Sequence, residues 1–331
     1  MSEPSFLEDP LLSTVDSEVQ RAATEIEGVS TANLDPITRQ KLILYTVRQF
    51  GVEAYVTTQW YLHGDVAVKG KADNRAGNAT LDLPTGVDSD IPTQDEIFDE
   101  LTGDSREYVH EALSAETFEW LGDYYRERSI PFEDVYRAAL PLYAALHRTR
   151  DAAMGAGGEV PDDLSTTVET SCGALKRALS RYALFDGIQP YVTEFARAAE
   201  PFVGWIERHE WDNSPVEHYD EFDRLYELFY DGVWRGCGQR MSYVTVEGPS
   251  ADDTKARRRR EASGQRELFE AKLGQFQMAV DGLGVAVEAT TDRLPNLEFD
   301  DYVEEAGVEP DILAGEQRSV PDDDPLFEVV E

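Results

Sequence analysis

The residue types that most often carry chemistry cluster in three places. HEWDNSPVEHYDE places His209, Glu210, Asp212, Glu217, His218, Asp220 and Glu221 within thirteen residues. Imidazole together with carboxylate suits a borderline divalent metal. His209, Glu210 and His218 are the donors that a metal-dependent helical enzyme would use there. The same run falls at an expected helix–helix turn, where the helix dipole favours carboxylates near the new N-terminus. A solvated capping segment therefore accounts for it, and no metal is assigned. Glu107 and His110 form an ExxH pair, spaced to share one helix face. A di-iron bundle needs two such pairs and two further inward carboxylates, and only one pair is present. The third place is KARRRR, Lys255–Arg260, the one dense basic run of the chain. Arg257, Arg258, Arg259 and Arg260 have the chemistry to hold phosphates or an acidic partner. On a helix, however, successive residues fan out by about 100°, so pairing with the chain's own acids is the plainer expectation.

The common catalytic signatures are missing: GxGxxG, GxxxxGK[ST], GxSxG and HExxH do not occur. That weighs against an enzyme. No catalytic residue and no cofactor are assigned. Cys172 and Cys237 lie far apart, outside any CxxC spacing, and read as two buried reduced thiols.

The elements that must position these residues are mainly helices. Residues 1–30 read as an N-terminal extension with a short helix from Asp16 to about Glu27. A stronger helix follows, with Asp35 as N-cap, Pro36 at its first position, Gly51 past its end, and Ile37, Ile43, Leu44, Val47 and Phe50 forming the apolar stripe. VEAYVTTQWYLHGDVAVKG fits either a strand or a short helix, and GKADNRAGNATLDLPTGVDSDIP (70–92) reads as an irregular loop. Residues 31–92 thus make a small α(β) module.

A helical bundle is expected over 93–295, with an internal boundary at GAGGEVPDD (155–163). Thr93 and Glu96 form a capping-box pattern, and helices follow at about 105–113, 115–128 and 131–154. Val168, Cys172, Leu175, Leu179 and Tyr182 mark one buried face, and Phe195, Phe202 and Ile206 mark the next, on a helix over about 190–210. Ser214, Pro215 and Glu217 open a helix to about Arg235, striped by Tyr219, Phe222, Tyr226, Phe229 and Val233. MSYVTVEG (241–248) reads as strand-like, and a long helix is expected from Ser250 to about Asp292. The tail, 296–331, has 13 Asp and Glu against Arg318 alone and reads as loosely ordered. The fold class is therefore mostly α: a helical bundle with a small N-terminal α(β) module and an acidic tail.

Of 331 residues, 30 are Lys or Arg and 66 are Asp or Glu, a net charge of −36. Over a monomer surface of roughly 13,600 Å² the excess charges lie about 19 Å apart. The screening length is about 10 Å at 0.1 M salt and about 3 Å at 1 M, so only concentrated salt removes the repulsion. Lys occurs at six positions, and Arg supplies the other 24 cations. An acidic, Lys-poor surface spread along the whole chain is the composition of a cytoplasmic protein from a salt-accumulating halophile. High salt also penalises phosphate binding, which disfavours nucleic acid. No apolar run approaches the roughly 18–20 residues that cross a bilayer. The opening MSEPSFLEDPLLSTV lacks a basic segment before an apolar stretch, so no secretory signal is expected.

KLILYTVRQFGVEAYVTTQWYLHGDVAV (Lys41–Val68) resembles the opening of the Panacea family, the SocA-like antitoxins. Lys41, Leu42, Leu44 and Tyr45 match that family's KLLYF helix. Trp60, Tyr61, His63 and Gly64 match its following aromatic segment, and Asp65 stands where the family has Pro. The resemblance implies a helical, non-enzymatic module that grips another protein, as an antitoxin or proteolytic adaptor does. The reading is a halophile's interaction or regulatory protein with a protein partner. Trp60, Tyr61, His63 and Arg257–Arg260 are its candidate contact residues.

Overall fold

In the computed structural model, residues 5–28, 34–68, 91–127, 130–155, 160–161, 163–208 and 215–295 are described. The chain is mostly α-helical. Helices α1 (Ser5–Glu27) and α2 (Pro36–Gln49) precede an antiparallel hairpin, β1 (Thr58–Tyr61) and β2 (Gly64–Ala67). Then come α3 (Gln94–Thr102), α4 (Arg106–Ser114), α5 (Thr117–Glu127), α6 (Glu133–Ala153), α7 (Leu164–Leu179) and α8 (Gln189–Arg208). The last are α9 (Tyr219–Phe229), α10 (Arg235–Thr245), α11 (Ala251–Ser263) and α12 (Gln265–Asp281). None of the described helices is long and apolar enough to cross a membrane. Two compact units share the chain: Met1–Leu140 with Gly238–Ala262, and Pro141–Cys237 with Ser263–Glu331.

In the first unit, α1 is longer and more central than an N-terminal extension. Pro10 lies inside it, past the first turn, where a proline removes one intrahelical hydrogen bond, and Leu11, Leu12, Val15, Val19, Ala22 and Ala23 are buried. Helix α2 has the expected start: Asp35 accepts the Thr38 N–H at 2.7 Å and Pro36 takes the first position. The Thr93–Glu96 capping box opens α3. The open segment resolves as the hairpin, with Thr58 opposite Ala67 and Trp60 opposite Asp65 around the turn Leu62–His63. MSYVTVEG is corrected: up to Thr245 it is the end of α10, with Met241, Ser242 and Val244 buried, and Glu247 alone bridges to Thr58. Burial of that face overrides the local strand preference of Val244, Thr245 and Val246.

In the second unit, α7 and α8 bury the faces that their spacing predicts, including Val168, Cys172, Leu175, Phe195 and Phe202. The helix expected from Ser214 to Arg235 is divided. A 3₁₀ turn at Pro215–His218 leads into α9, and a π-turn at Tyr230–Trp234 joins α9 to α10. At the π-turn the Gln265 amide donates to the Asp231 and Gly232 carbonyls at 3.2 and 2.6 Å, meeting acceptors that a widened turn releases. The long helix expected over 250–292 is also corrected. It breaks at Gly264 and stops at Asp281, because glycine weakens a helix interior. The expected tail (296–331) and nearly all of the loop at 70–92 lie outside the described residues, as do 156–159 and 162 of the expected boundary.

Candidate functional site

The segment Lys41–Val68 folds as α2 followed by the hairpin, and a buried ion cluster ties one to the other. Lys41 Nζ donates to the Asp65 backbone oxygen at 2.6 Å and to Asp65 Oδ1 at 3.0 Å. The Tyr124 hydroxyl donates to the same Oδ1. Arg48, two turns after Lys41, meets Asp65 Oδ2 at 2.6 Å. The Lys41 and Asp65 side chains are 0% and 2% exposed, whereas that of Arg48 is 35% exposed. Burial alone would raise the Asp65 pKa. The Lys41 and Arg48 charges, with hydrogen bonds from Tyr124 and Lys41, outweigh it and hold the carboxyl well below the usual range. For Arg48, burial opposes the charged form, and Asp65 and Tyr124 more than offset it.

Aromatic rings wall this cluster. Contacts run from Tyr45 stacked on Tyr108 at 4.1 Å, through Trp120, Tyr124, Tyr125 and Tyr136, to Trp60. Lys41 Nζ lies 5.1 Å from the Tyr124 ring centre, within cation–π range. Burial pushes the Tyr125 phenol well above its ordinary pKa, keeping it neutral. Gly64, at φ +89°, permits the close approach: a Cβ there would stand 2.9 Å from Lys41 Nζ.

The hairpin is fixed on its other sides as well. Thr58 exchanges backbone hydrogen bonds with Glu247, and the Trp60 N–H donates to Thr245 Oγ1 at 2.9 Å. The Tyr136 hydroxyl donates to the Tyr61 carbonyl, as Lys41 does to that of Asp65. These edge groups are engaged, so the hairpin offers side chains rather than those strand groups. Trp60, Tyr61 and His63 are each half-buried.

Arg258 joins the two sets of candidate contact residues. Its guanidinium lies 3.8 Å from the Tyr61 ring centre, and its Nε donates to Ser242 Oγ at 3.0 Å. Ser242 in turn donates to Gln59 Oε1, and Arg258 also pairs with Glu261 at 2.7 Å. With its side chain 7% exposed, Arg258 serves the interior. Arg257 reaches Glu261 at 4.0 Å, while Arg259 and Arg260 are exposed.

The other candidates separate. His110 meets Glu27 of α1 at 2.8 Å, and its ExxH neighbour Glu107 is exposed. In the second unit His218 faces Glu221 at 3.6 Å and the edge of Trp205, while His209 and Glu210 lie outside the described residues. Among the described residues, no three His, Cys, Asp or Glu side chains stand together as a metal site requires. Cys172 and Cys237 are buried and form no disulfide, and burial with nearby Glu200 pushes the Cys172 thiol up to about 12.

Sequence reasoning singled out Lys41, Trp60, Tyr61 and His63 but missed Asp65 as a hub, along with Arg48 and Tyr124. The available signals were a lysine inside an apolar stripe and an aspartate inside an apolar strand. A family model described as a domain of unknown function, DUF8098, matches residues 2–306. No curated protein and no solved structure matches the chain.

Proposed function

The chain belongs to the DUF8098 family, and we propose that it is a non-enzymatic interaction or regulatory protein that grips a protein partner through the β1–β2 hairpin. One observation carries the reading: Trp60, Tyr61 and His63 are half-exposed on a hairpin held by Lys41, Thr245, Glu247 and Tyr136. Rigid, partly exposed aromatic side chains lose little freedom on association, which makes them effective anchors in protein interfaces. The likeness of Lys41–Val68 to the Panacea, SocA-like antitoxins supports the same reading, since those modules act by protein contact. The net charge of −36 and the preference for Arg support a place in the cytoplasm of a salt-accumulating halophile.

The test is site-specific photo-crosslinking in molar KCl, with the photoreactive residue at Trp60, at His63 or at the exposed Arg137. A discrete adduct of one mass at both hairpin positions and not at Arg137 is the expected result. A folded chain that gives no adduct at either hairpin position, or the same adducts at all three, overturns the reading.

A further inference from the structure

Lys41 and Arg48 share a single carboxylate. Asp65 Oδ1 already accepts from Lys41 and Tyr124, and Oδ2 faces Arg48. One buried carboxylate needs one cation for balance. Lys41 supplies it from the closed side, where its ammonium also holds the Asp65 backbone oxygen. Arg48 is therefore a second cation that the balance of the buried pair does not require, and it is the member that reaches solvent.

A guanidinium carries five N–H donors in a fixed planar fork whose spacing matches a carboxylate. Asp65 engages Arg48 through NH1, Tyr124 also bonds the guanidinium, and with 35% of its side chain exposed Arg48 is the charged member of the cluster open to solvent. The Lys41 ammonium behind it adds positive potential in a site walled by rings, where charge is screened less than at the open surface. In a chain of net charge −36, this cluster of two cations and one anion carries a formal charge of +1. It adjoins the hairpin, because Asp65 is the cross-strand neighbour of Trp60.

We propose that Arg48 is a carboxylate-recognition residue, on which an Asp or Glu side chain of the protein partner seats beside the aromatic hairpin. This rests on the protein-contact reading and deepens it by naming the partner's chemistry.

The test uses the full chain in molar KCl, with acetate as the carboxylate probe and inorganic phosphate as the counter-probe, read by NMR at arginine Nε–Hε groups and, in parent and variants alike, at the indole N–H of Trp60, the cross-strand neighbour of Asp65. The Arg48 resonance is expected to shift to saturation with acetate at a dissociation constant on the order of 10 mM. The Arg260 resonance should not saturate. Arg48→Lys, which keeps the charge and loses the fork, should bind acetate about fivefold more weakly. Arg48→Gln should abolish saturation and melt within about 2 °C of the parent, because the Lys41–Asp65 pair stays balanced. A response at Arg48 no different from that at Arg260 overturns the proposal. So does saturation by phosphate without acetate, or unfolding of Arg48→Gln, which would make Arg48 part of the fold's own balance. The titration needs no partner, so its failure and that of the crosslinking experiment are distinguishable.

Discussion

Asp65 holds α2, the hairpin and Tyr124 with one carboxylate, and removing its charge has a calculable consequence. Asp65→Asn leaves the fully buried Lys41 ammonium without its anion, a loss that costs about 3–5 kcal/mol when a buried pair is broken. The double variant Lys41→Met/Asp65→Asn removes both charges and should recover much of that loss. The pH dependence follows from the same partners. Because the folded Asp65 carboxyl sits below its unfolded value of about 3.9, its stabilisation is present above that pH and disappears as pH falls toward the folded value. Urea midpoints of parent and Asp65→Asn should therefore converge below about pH 4. Midpoints that differ equally at all pH values would show that shape, and not charge, ties the cluster. Neither residue announced this pairing. Lys41 sat in a stripe of leucines and isoleucines, Asp65 between Gly64 and Val66, and a bond across 24 positions has no periodicity to betray it.

At the scale of elements, what was legible followed from local rules. Asp35 and Pro36 started α2, Thr93 and Glu96 started α3, and steps of three and four placed Cys172 and Phe202 inward, as the caps and burial bear out. What was illegible came from tertiary context: the strand-like residues of α10, the π-turn after Phe229 and the division at Gly264. Gly248 shows how strongly such context constrains a single position. At φ +115°, its absent Cβ would stand 2.6 Å from Thr57 Cα and from the Val56 carbonyl oxygen. Backbone on both counts cannot step aside. Gly248→Ala should cost at least about 2 kcal/mol, through strain and loss of the Glu247–Thr58 bridge. Gly274 is the converse, a glycine inside α12 with open space where a Cβ would go. Gly274→Ala should gain about 0.5–1 kcal/mol. Opposite shifts of the urea midpoint at constant slope would check the pair, and a neutral Gly248→Ala would contradict the geometry.

For the whole molecule, two electrostatic regimes coexist and answer salt differently. The Lys41–Asp65 pair is buried and screened little by dissolved ions, whereas exposed acids such as Asp104, Glu107, Glu111 and Glu119 feel the full change in screening. With 36 more acidic than basic residues, transfer from molar KCl to about 0.1 M restores repulsion over about 10 Å. The melting midpoint should then fall by about 10 °C, the sum of several kcal/mol spread over a chain of this size. Replacing Asp104, Glu107, Glu111 and Glu119 by their amides should reduce the fall, because each removes part of the repulsion. Sucrose should not substitute for KCl, since an uncharged osmolyte strengthens burial without screening charge. The loss caused by Asp65→Asn should be the same at both salt concentrations. Calorimetry across that series separates the regimes: a midpoint indifferent to salt would mean that the acids are not an adaptation to brine, and the halophile reading would go with it.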